Sequence, residues 1–313
     1  MKQKILTLCG GVGGAKLAYG LSKVMPPEEI IFLVNTGDDF IHFDLYISPD
    51  LDTVMYTLAE LNDPIKGWGL KEETWNNQEN LKKDGFDTWF QLGDKDLETH
   101  KKRTQLLSDG MKLSDVTKEL SQVMGLEYTI LPMAENPVQT IVTTNQGKLG
   151  FQEYFVKHKC IPKIEQIDFV GSETAEIPSV IKETMRRNGF TGVIICPSNP
   201  YLSVDPILSI KEIRSFLLEA DIPVLAISPI INNDSIKGPT SKIMKEMKVK
   251  PSVDSIAKHY EGLVDILVVD NKDNNSQSNI ESMSYMVDSI FMNSDERKIS
   301  LANSCIKKLK EFA

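Results

Sequence analysis

Four aspartates near the start of the chain are the residues whose types and spacing first indicate chemistry. Asp38 and Asp39 follow Asn35 in the segment NTGDD, and Asp50 and Asp52 follow in the segment SPDLD, all four within fifteen residues. Carboxylates this close repel one another unless they share a cation or a proton. A hydrated Mg²⁺ held by one or two carboxylates and by substrate phosphate suits such a set of oxygen ligands. The two segments therefore predict a magnesium site.

Helix capping is the alternative role for two of these carboxylates. The pattern predicts a helix from about Thr53. An aspartate just before a helix can accept hydrogen bonds from its first free N–H groups. Asp50 or Asp52 could serve in this way, so the sequence leaves both roles open.

A glycine-rich loop precedes the acidic segments and predicts phosphate binding. Its sequence is GGVGGAK, in which Gly10, Gly11, Gly13 and Gly14 separate a strand-like run from a helix-like one. Glycines leave the backbone bare, so N–H groups and the N-terminus of the following helix can face an anion. The Walker A pattern needs a hydroxyl residue after the lysine, and the dinucleotide fingerprint needs a small residue where Lys16 stands. Because the loop fits neither pattern, a metal beside it must take its ligands from the acidic segments.

The elements that must position these residues follow an alternating pattern. Apolar strand-like runs alternate with helical stretches, beginning with KILTLCGG, AKLAYGLSKVM and EIIFLVNTGDD. This βαβ order predicts an α/β fold with a Rossmann-like, doubly wound, mostly parallel sheet, whose ligands bind at the carboxyl ends of the strands. We predict a nucleotide-binding core over residues 1–52 and 126–313 and a mainly helical insertion over 53–125. The runs VQTIVTTN and KLGFQEYFV are predicted to be the two strands of a hairpin.

Two later loops are expected at the same edge of the sheet. Ser198 and Asn199 follow an apolar run, and Lys237 precedes a Gly-Pro pair at the predicted start of a helix near Thr240. Free N–H groups at that helix start, beside the charge of Lys237, offer a second anion contact. Together with the glycine-rich loop, these segments favour a diphosphate ligand.

Composition restricts the class of partner. The chain of 313 residues has a formal net charge of −9, which argues against a general nucleic-acid or membrane-surface binder. Its start resembles no signal peptide, and no apolar run approaches the length of a membrane span. The four cysteines are far apart and show no zinc or redox spacing. We therefore expect a cytoplasmic protein without disulfides.

Seven segments together resemble a known family. In chain order they are GGVGGAKLAYGL, NTGDDF, SPDLDTVMYTL, TWFQLGDKDLETH, FQEYFV, PSNPYLS and SPIINNDSIKGPT. The set is similar to the 2-phospho-L-lactate transferase family of coenzyme F-420 biosynthesis. The resemblance implies transfer of a phospholactyl group from lactyl-2-diphospho-5'-guanosine to the terminal ribityl hydroxyl of the deazaflavin Fo. It further implies that coenzyme F-420-0 and GMP are the products, that Mg²⁺ is required and that the protein is a homodimer.

The resemblance also implies residue roles. Asp39 and Asp50 would be the catalytic pair and the magnesium ligands, with Asp38 as an alternate ligand. Asp50 would also orient the ribityl hydroxyl. Trp89, which the sequence alone leaves open as a core residue or a ligand platform, would lie against the flat deazaflavin within a pocket to which the insertion contributes. The expected nucleotide-binding residues are Gly10, Gly11, Gly13, Gly14, Lys16, Asn35, Asp50, Ser198, Asn199 and Lys237.

Two rival functions and one choice of donor stay open. A nucleotide-sugar-binding regulatory protein of the related fold would have a similar loop and bind without turnover, although it needs no flavin-sized second pocket. A nicotinamide-dependent dehydrogenase fits less well, because its acidic residue would have to come from the Asp38–Asp39 cluster. The sequence leaves open a phospholactyl or a phosphoenolpyruvyl donor. We predict that Gly13→Val abolishes guanine-nucleotide binding and leaves the fold intact.

Overall fold

The computed structural model describes residues 3–236, 238–273, 280 and 282–312. The strands are β1 Lys4–Cys9, β2 Ile30–Val34, β3 Phe40–His42, β4 Leu45–Ile47, β5 Thr129–Pro132, β6 Gln139–Thr144, β7 Gly147–Gly150, β8 Ile164–Val170, β9 Phe190–Ile195, β10 Val224–Ile227, β11 Ile230–Ile231, β12 Asp234–Ser235, β13 Ile266–Asp270 and β14 Ser284–Asp288. The α-helices are α1 Gly11–Ser22, α2 Pro49–Leu58, α3 Asn76–Lys83, α4 Asp96–Ser108, α5 Leu113–Val123, α6 Ser179–Arg186, α7 Asp205–Leu208, α8 Lys211–Glu219, α9 Thr240–Glu246, α10 Val253–His259 and α11 Asp295–Phe312.

The central sheet has seven strands in the order β14-β13-β10-β9-β1-β2-β5. Each neighbouring pair is parallel, which confirms the predicted Rossmann-like α/β fold. From β1 the chain builds outward through β2 and β5, and later returns to the other side of β1 with β9. The strand order therefore reverses between β1 and β9, and their carboxyl ends open the crevice where such folds bind ligands.

Continuous apolar runs form the inner strands because both faces of the sheet are covered. Along β1, Leu6 and Leu8 belong to one core layer, whereas Ile5 and Cys9 belong to the other. This alternation follows from the two-residue period of a strand. The sheet is therefore held rigidly between two apolar layers, and the loops at its edge start from fixed points.

The predicted hairpin is confirmed only in part. Strands β6 and β7 pair antiparallel, but β7 ends at Gly150 and the rest of the expected strand is helical, with a π-helical turn over Glu153–Lys157. Phe151 and Phe155 stack with ring centroids 5.4 Å apart, a contact that residues four apart make in a helix and not in a strand. The sequence missed β8, which pairs with β6 as the outer strand of this second sheet.

The insertion differs from the expected boundary at its beginning. Helix α2 begins at Pro49, crosses the predicted division between residues 52 and 53, and packs through Val54 and Met55 into the same apolar layer as Leu17 of α1. Helices α3, α4 and α5 follow, separated by irregular segments. The division into core and insertion stays a prediction, but α2 is part of the core layer.

The C-terminal half follows the expected order with two differences. The segment DPILSIKEIRSFLLEA has the pattern of one helix but is divided into α7 and α8, and the pattern did not predict the outer strand β14. The Asp-Pro pair that begins this segment is typical of an N-cap and a first helical position, but Asp205 is itself the first residue of α7, and Val204 precedes it as the N-cap without a side-chain hydrogen bond. Within the residues described, no helix combines the length and apolar character that a bilayer crossing requires.

Candidate active site

The glycine-rich loop and the loop after β9 meet at the point where the strand order reverses. The Gly10 N–H donates to Ser198 Oγ at 3.3 Å, and the Ser198 hydroxyl donates to the Gly10 carbonyl at 2.8 Å. Helix α1 begins at Gly11, directly after β1. Two of the predicted segments are thus joined by a reciprocal pair of hydrogen bonds, which fixes the start of α1 against the sheet.

The glycines of this loop have different surroundings. Gly11 has φ +61°, and a Cβ there would meet nothing within 4 Å. A Cβ at Gly13 would lie 2.3 Å from the Pro197 carbonyl oxygen, and one at Gly10 would lie 2.8 Å from Asp50 Oδ2. The expectation that Gly13→Val leaves the fold intact is therefore wrong, since the side chain would collide with backbone. Gly11 is the position at which the loop is open.

Asn35 joins two of the predicted aspartates. Its side-chain amide nitrogen, completely buried, donates to Asp38 Oδ1 and to Asp50 Oδ2, both at 2.9 Å. The N–H of Gly11 also donates to the Asp50 carboxylate. The other oxygen of Asp38 accepts from Gln152 Nε2 at 2.9 Å. The structure therefore brings Asn35, Asp38 and Asp50 together at the N-terminus of α1.

Asp39 lies beside this group with different partners. Its Oδ2 accepts from the Ser48 hydroxyl at 2.6 Å. Its Oδ1 is buried and has no well-placed hydrogen-bond donor among the described residues, although the Tyr46 hydroxyl interacts with the same carboxylate. An orphaned buried oxygen is unusual and indicates a missing partner such as an ion.

Burial dominates the electrostatics of all three carboxyls. It raises the pKa of Asp38 well above its usual range, and repulsion from Asp50 and Asp39 raises it further. It raises the pKa of Asp39 in the same direction, against partial opposition from Ser48 and Arg103. It raises the pKa of Asp50 to about 6, against the bonds from Asn35 and Gly11. Negative charge here is costly until a cation compensates it.

These residues fit a hard cation. They offer carboxylate oxygens, the ligands that Mg²⁺ prefers, and no well-placed donor among the described residues occupies Asp39 Oδ1. The hydrogen bonds described above come from amides, a hydroxyl and a backbone N–H, so they orient the carboxylates without neutralising them. We call Asp38, Asp39 and Asp50 the open acidic cluster.

A second acidic cluster lies on the opposite side of α2. Ligand atoms of Asp52, Asp96 and His100 come within 4.8 Å of one another. The guanidinium of Arg103, itself buried, donates to both oxygens of Asp52, one of them at 3.1 Å, and the Tyr56 hydroxyl donates to Asp96 at 2.5 Å. His100 lies between the two carboxylates, 3.2 Å from Asp96 and 3.6 Å from Asp52. We call these residues the paired cluster.

Charge distinguishes the paired cluster from a metal site. Burial would lower the pKa of Arg103, but attraction to Asp52 outweighs it and raises that pKa. A cation is therefore already present beside Asp52, and a metal would have to displace it. The capping alternative is also wrong for both aspartates, because α2 begins at Pro49 after Ser48, with Asp50 and Asp52 inside its first turn.

Trp89 lies in an aromatic group next to the open acidic cluster. Its ring centroid is 5.7 Å from that of Phe40, the residue after Asp39, and 5.2 Å from that of His42. Lys157 reaches the same place, since its Nζ pairs with Asp87 at 2.8 Å and lies 5.8 Å from the Trp89 ring centre. Trp89 is half-buried. These rings form an aromatic wall that is linked to the open acidic cluster through Phe40, which directly follows Asp39.

Other carboxylates of the TWFQLGDKDLETH segment hold the insertion together. Asp94 accepts from the N–H groups of Asn76 and Asn77, both at 2.9 Å, and from the Thr74 hydroxyl at 2.6 Å. These bonds, the Thr74 one first, hold the pKa of Asp94 well below its usual range. Asp94 therefore fixes the start of α3 rather than contributing to the open acidic cluster.

The remaining predicted residues have varied surroundings. Asn199 uses its Oδ1 to accept from the N–H groups of Tyr201 and Leu202, while its Nδ2 is buried and meets no acceptor among the described residues. A Cβ at Gly14 would lie 2.8 Å from Ser198 Oγ. Lys16 is a half-buried residue of α1. Lys237 lies outside the described residues.

The sequence missed the partners that hold the predicted aspartates. Gln152 and Arg103 lie 114 and 51 residues from the carboxylates that they bond. The one signal for Gln152 was its segment FQEYFV, which belongs to the resemblance but was interpreted as a strand.

Comparison with known proteins decides the family. A family model described as 2-phospho-L-lactate transferase CofD matches residues 5–306. The chain belongs to the 2-phospho-L-lactate transferase family. The resemblance found in the sequence is confirmed, and as a member of this family the protein is a transferase.

The sequence of this chain matches those of named relatives over most of their length. The chain is 36% identical to the 2-phospho-L-lactate transferase of Methanocaldococcus jannaschii, over 97% of each chain. It is 34% identical to the enzyme of the same name from Methanosarcina mazei, over 86% of this chain and 88% of the relative. It is also 37% identical to a phosphoenolpyruvate transferase of Streptomyces griseus, over 89% of each.

A solved structure shares the fold. A member of the UPF0052 family from Bacillus halodurans superimposes with a TM-score of 0.65 over 98% of this chain and 99% of that one. Because the two sequences are 14% identical, this likeness shows the fold alone.

Proposed function

We propose that this protein transfers the 2-phospho-L-lactate moiety of lactyl-2-diphospho-5'-guanosine to the ribityl hydroxyl of Fo, giving coenzyme F-420-0 and GMP. The observation that carries the proposal is the open acidic cluster, three buried carboxylates held by neutral donors where the strand order reverses. Family membership supports the transferred group. The aromatic wall at Trp89 supports a flat acceptor.

The donor's diphosphate is best placed at the start of α1. Gly11 is open there, and the free N–H groups of a helix N-terminus attract an anion. The same position faces the carboxylate of Asp50, which would repel a phosphate. A cation between the two anions removes this conflict, which supports the Mg²⁺ requirement.

Asp38, Asp39 and Asp50 would hold the magnesium ion. When bound, Mg²⁺ neutralises charge on the phosphoryl oxygens of the donor. The chain's own contribution is positioning, which accounts for most of the catalysis in phosphoryl transfer. Asn35 holds two of the carboxylates at fixed separation, and the start of α1 holds the diphosphate.

The transfer itself is a displacement at phosphorus. The ribityl oxygen forms a bond to the phosphorus that carries lactate, and the bond from that phosphorus to the bridging oxygen of GMP breaks. The hydroxyl proton must leave as the new bond forms. Asp50, whose carboxylate accepts from the Gly11 N–H at the start of α1, would orient this hydroxyl and accept its proton.

The group that the donor transfers is either phospholactate or phosphoenolpyruvate. Relatives of similar identity are named for phospholactate and for phosphoenolpyruvate. We propose phospholactate because the family description names it. A direct competition between the lactyl and the enolpyruvyl diphospho-guanosine donors tests this choice, and faster GMP release from the enolpyruvyl donor would reverse it.

The decisive experiment mixes the purified protein with lactyl-2-diphospho-5'-guanosine, Fo and Mg²⁺ and measures GMP release. We expect release that requires Fo and stops on chelation of the metal. A nucleotide-sugar-binding regulator would bind the nucleotide, leave the fluorescence of Fo unchanged on titration and release no GMP. Light scattering of the same sample tests the homodimer that we propose for the cytoplasmic enzyme.

A further inference from the structure

Gln152 contacts the open acidic cluster from outside the loops that form it. It is 6% exposed, and its Nε2 donates to Asp38 Oδ2 at 2.9 Å. Asn35 donates to the other oxygen of Asp38 at the same distance. Both oxygens of this carboxylate are therefore held by neutral amides, one from the residue after β2 and one from the helical turn after β7.

The backbone around Gln152 is fixed on both sides. Gly150 ends β7 just before it, and Tyr154, completely buried in the core, follows it. The stacked rings of Phe151 and Phe155 hold the helical turn that carries the side chain. The amide is thus presented to Asp38 by a rigid support, as groups that orient metal ligands are.

We propose that Gln152 is a positioning residue that pre-organises Asp38 for the cation of the site. Asp38 and Asp50 are both buried and bonded to one amide nitrogen, so their charges repel at short range. Without the second amide, Asp38 could turn away from Asp50, and binding a cation would first have to restore it. The proposal rests on the proposed function only in taking Mg²⁺ as the cation.

The neutrality of Gln152 matters to this role. A lysine or arginine here would also bond Asp38, but its charge would compete with the cation. A methionine would fill similar space without the cost of burying an amide, which only a hydrogen bond offsets. The hydrogen bond from Gln152 to Asp38 therefore explains why a glutamine is buried at this position.

The test measures Mg²⁺ binding by calorimetry on the protein alone, without nucleotide or Fo. We expect Gln152→Met to weaken the Mg²⁺ affinity about tenfold, the order expected for one hydrogen bond to a charged group. The same change at Gln166, an exposed residue of β8, is the matched control and should leave the affinity unchanged. Thermal midpoints of both variants in chelator separate metal binding from folding.

A double-mutant cycle shows whether Gln152 acts through Asp38. In an Asp38→Asn background, Gln152→Met should cause no further loss of Mg²⁺ affinity. An equal loss in both backgrounds, or an unchanged affinity in the single variant, would overturn the proposal. If Gln152→Met does not fold, Gln152→Asn decides: it keeps the amide one methylene short, and unchanged Mg²⁺ binding there also overturns it.

Failure of this inference differs from failure of the proposed function. Protein that binds Mg²⁺ but releases no GMP contradicts the function and leaves the role of Gln152 standing. Turnover of the proposed substrates with an unaffected Gln152→Met variant contradicts the role and leaves the function standing.

Discussion

Asp50 and Asp52 stand two residues apart in the first turn of α2 and face opposite surroundings. Residues two apart in a helix point to different sides. Asp50 points to the open acidic cluster, where it accepts from the Asn35 amide, and Asp52 points to the paired cluster, where Arg103 bonds both its oxygens. Within a single turn of helix, one carboxylate is therefore bonded to a cation and the other is held by a neutral amide.

The difference teaches that proximity of ligand atoms is a poor guide to a metal site when charges are buried. The three groups that come within 4.8 Å are those of the paired cluster. The Arg103 guanidinium already provides these groups with a directly bonded cation, although His100 Nε2 and Arg103 Nε have no hydrogen-bond partner among the described residues. The open acidic cluster is less compact, and within the described residues its carboxylates accept hydrogen bonds from neutral groups without a directly bonded cation. Unbalanced charge is the better signal, because a buried carboxylate without a cation is costly.

The largest effect should come from breaking the paired cluster. Arg103→Met leaves Asp52 buried without its cation, and we expect a loss of about 3–5 kcal/mol in the free energy of unfolding, measured with urea. Combining Arg103→Met with Asp52→Asn should recover part of this loss, because the second substitution removes the unpaired charge. If Mg²⁺ or Zn²⁺ instead restores the stability of Arg103→Met, the paired cluster is a metal site and the comparison is reversed.

The next effect concerns turnover. Asp50→Asn keeps the size of the side chain and removes its charge, so we expect GMP release to fall by at least about a hundredfold, some 2.7 kcal/mol of transition-state stabilisation. The fold should persist, because the variant removes a buried charge. Asp52→Asn is the matched control, and it should lower stability more than turnover. Equal turnover of Asp50→Asn and wild type would remove Asp50 from the chemistry.

The pH dependence of stability tests the burial of Asp50 in the open acidic cluster. Burial raises the pKa of Asp50 to about 6, against about 3.9 in an unfolded chain. The folded protein holds the Asp50 proton more tightly than the unfolded chain does. The stability that results from this proton is complete below the unfolded pKa and is lost as pH rises through about 6. We expect this one group to cost the metal-free protein about 2–3 kcal/mol by neutral pH.

Urea denaturation of wild type and Asp50→Asn across this range, in chelator, measures that cost as a difference. Saturating Mg²⁺ should restore the wild type at neutral pH, because the cation binds the ionised carboxylates. A constant difference between the two proteins over the whole range would show that Asp50 titrates normally.

The sequence could predict those parts of the molecule that local pattern determines. The inner strands carry continuous apolar runs because both faces are buried, and the glycine and aspartate loops directly follow such strands. Strand β14 lies at the edge of the sheet and β8 is largely exposed, so their apolar signal is weak. The segment FQEYFV was interpreted as a strand for its aromatic content, although Phe151, Tyr154 and Phe155 have the i, i+3, i+4 spacing of the helix that forms. The roles of Arg103 and Gln152 depend on contacts between distant segments, which no local pattern contains.

The smallest expected effect concerns Trp89, in the aromatic wall. Phe40, which follows Asp39 of the open acidic cluster, packs on the Trp89 wall. If this wall holds the deazaflavin, Trp89→Ala should weaken Fo binding by about 1–3 kcal/mol, the range for losing one stacked ring. GDP binding should stay nearly unchanged, because we propose that the diphosphate binds at the start of α1. Fluorescence titration of Fo and calorimetry of GDP measure the two affinities.

Trp68 provides the matched control for this last change. It lies in the insertion beside Lys66, whose ammonium is 5.1 Å from its ring centre, and Trp68→Ala should leave Fo binding unchanged. Trp89 also packs on Phe90 at 5.7 Å, so its loss could loosen the insertion as a whole. Such loosening would weaken GDP and Fo alike and lower the thermal midpoint, and Trp89 would then be a core residue. A selective loss of Fo with an unchanged midpoint assigns the ring to the acceptor, because packing alone has no reason to distinguish the two ligands.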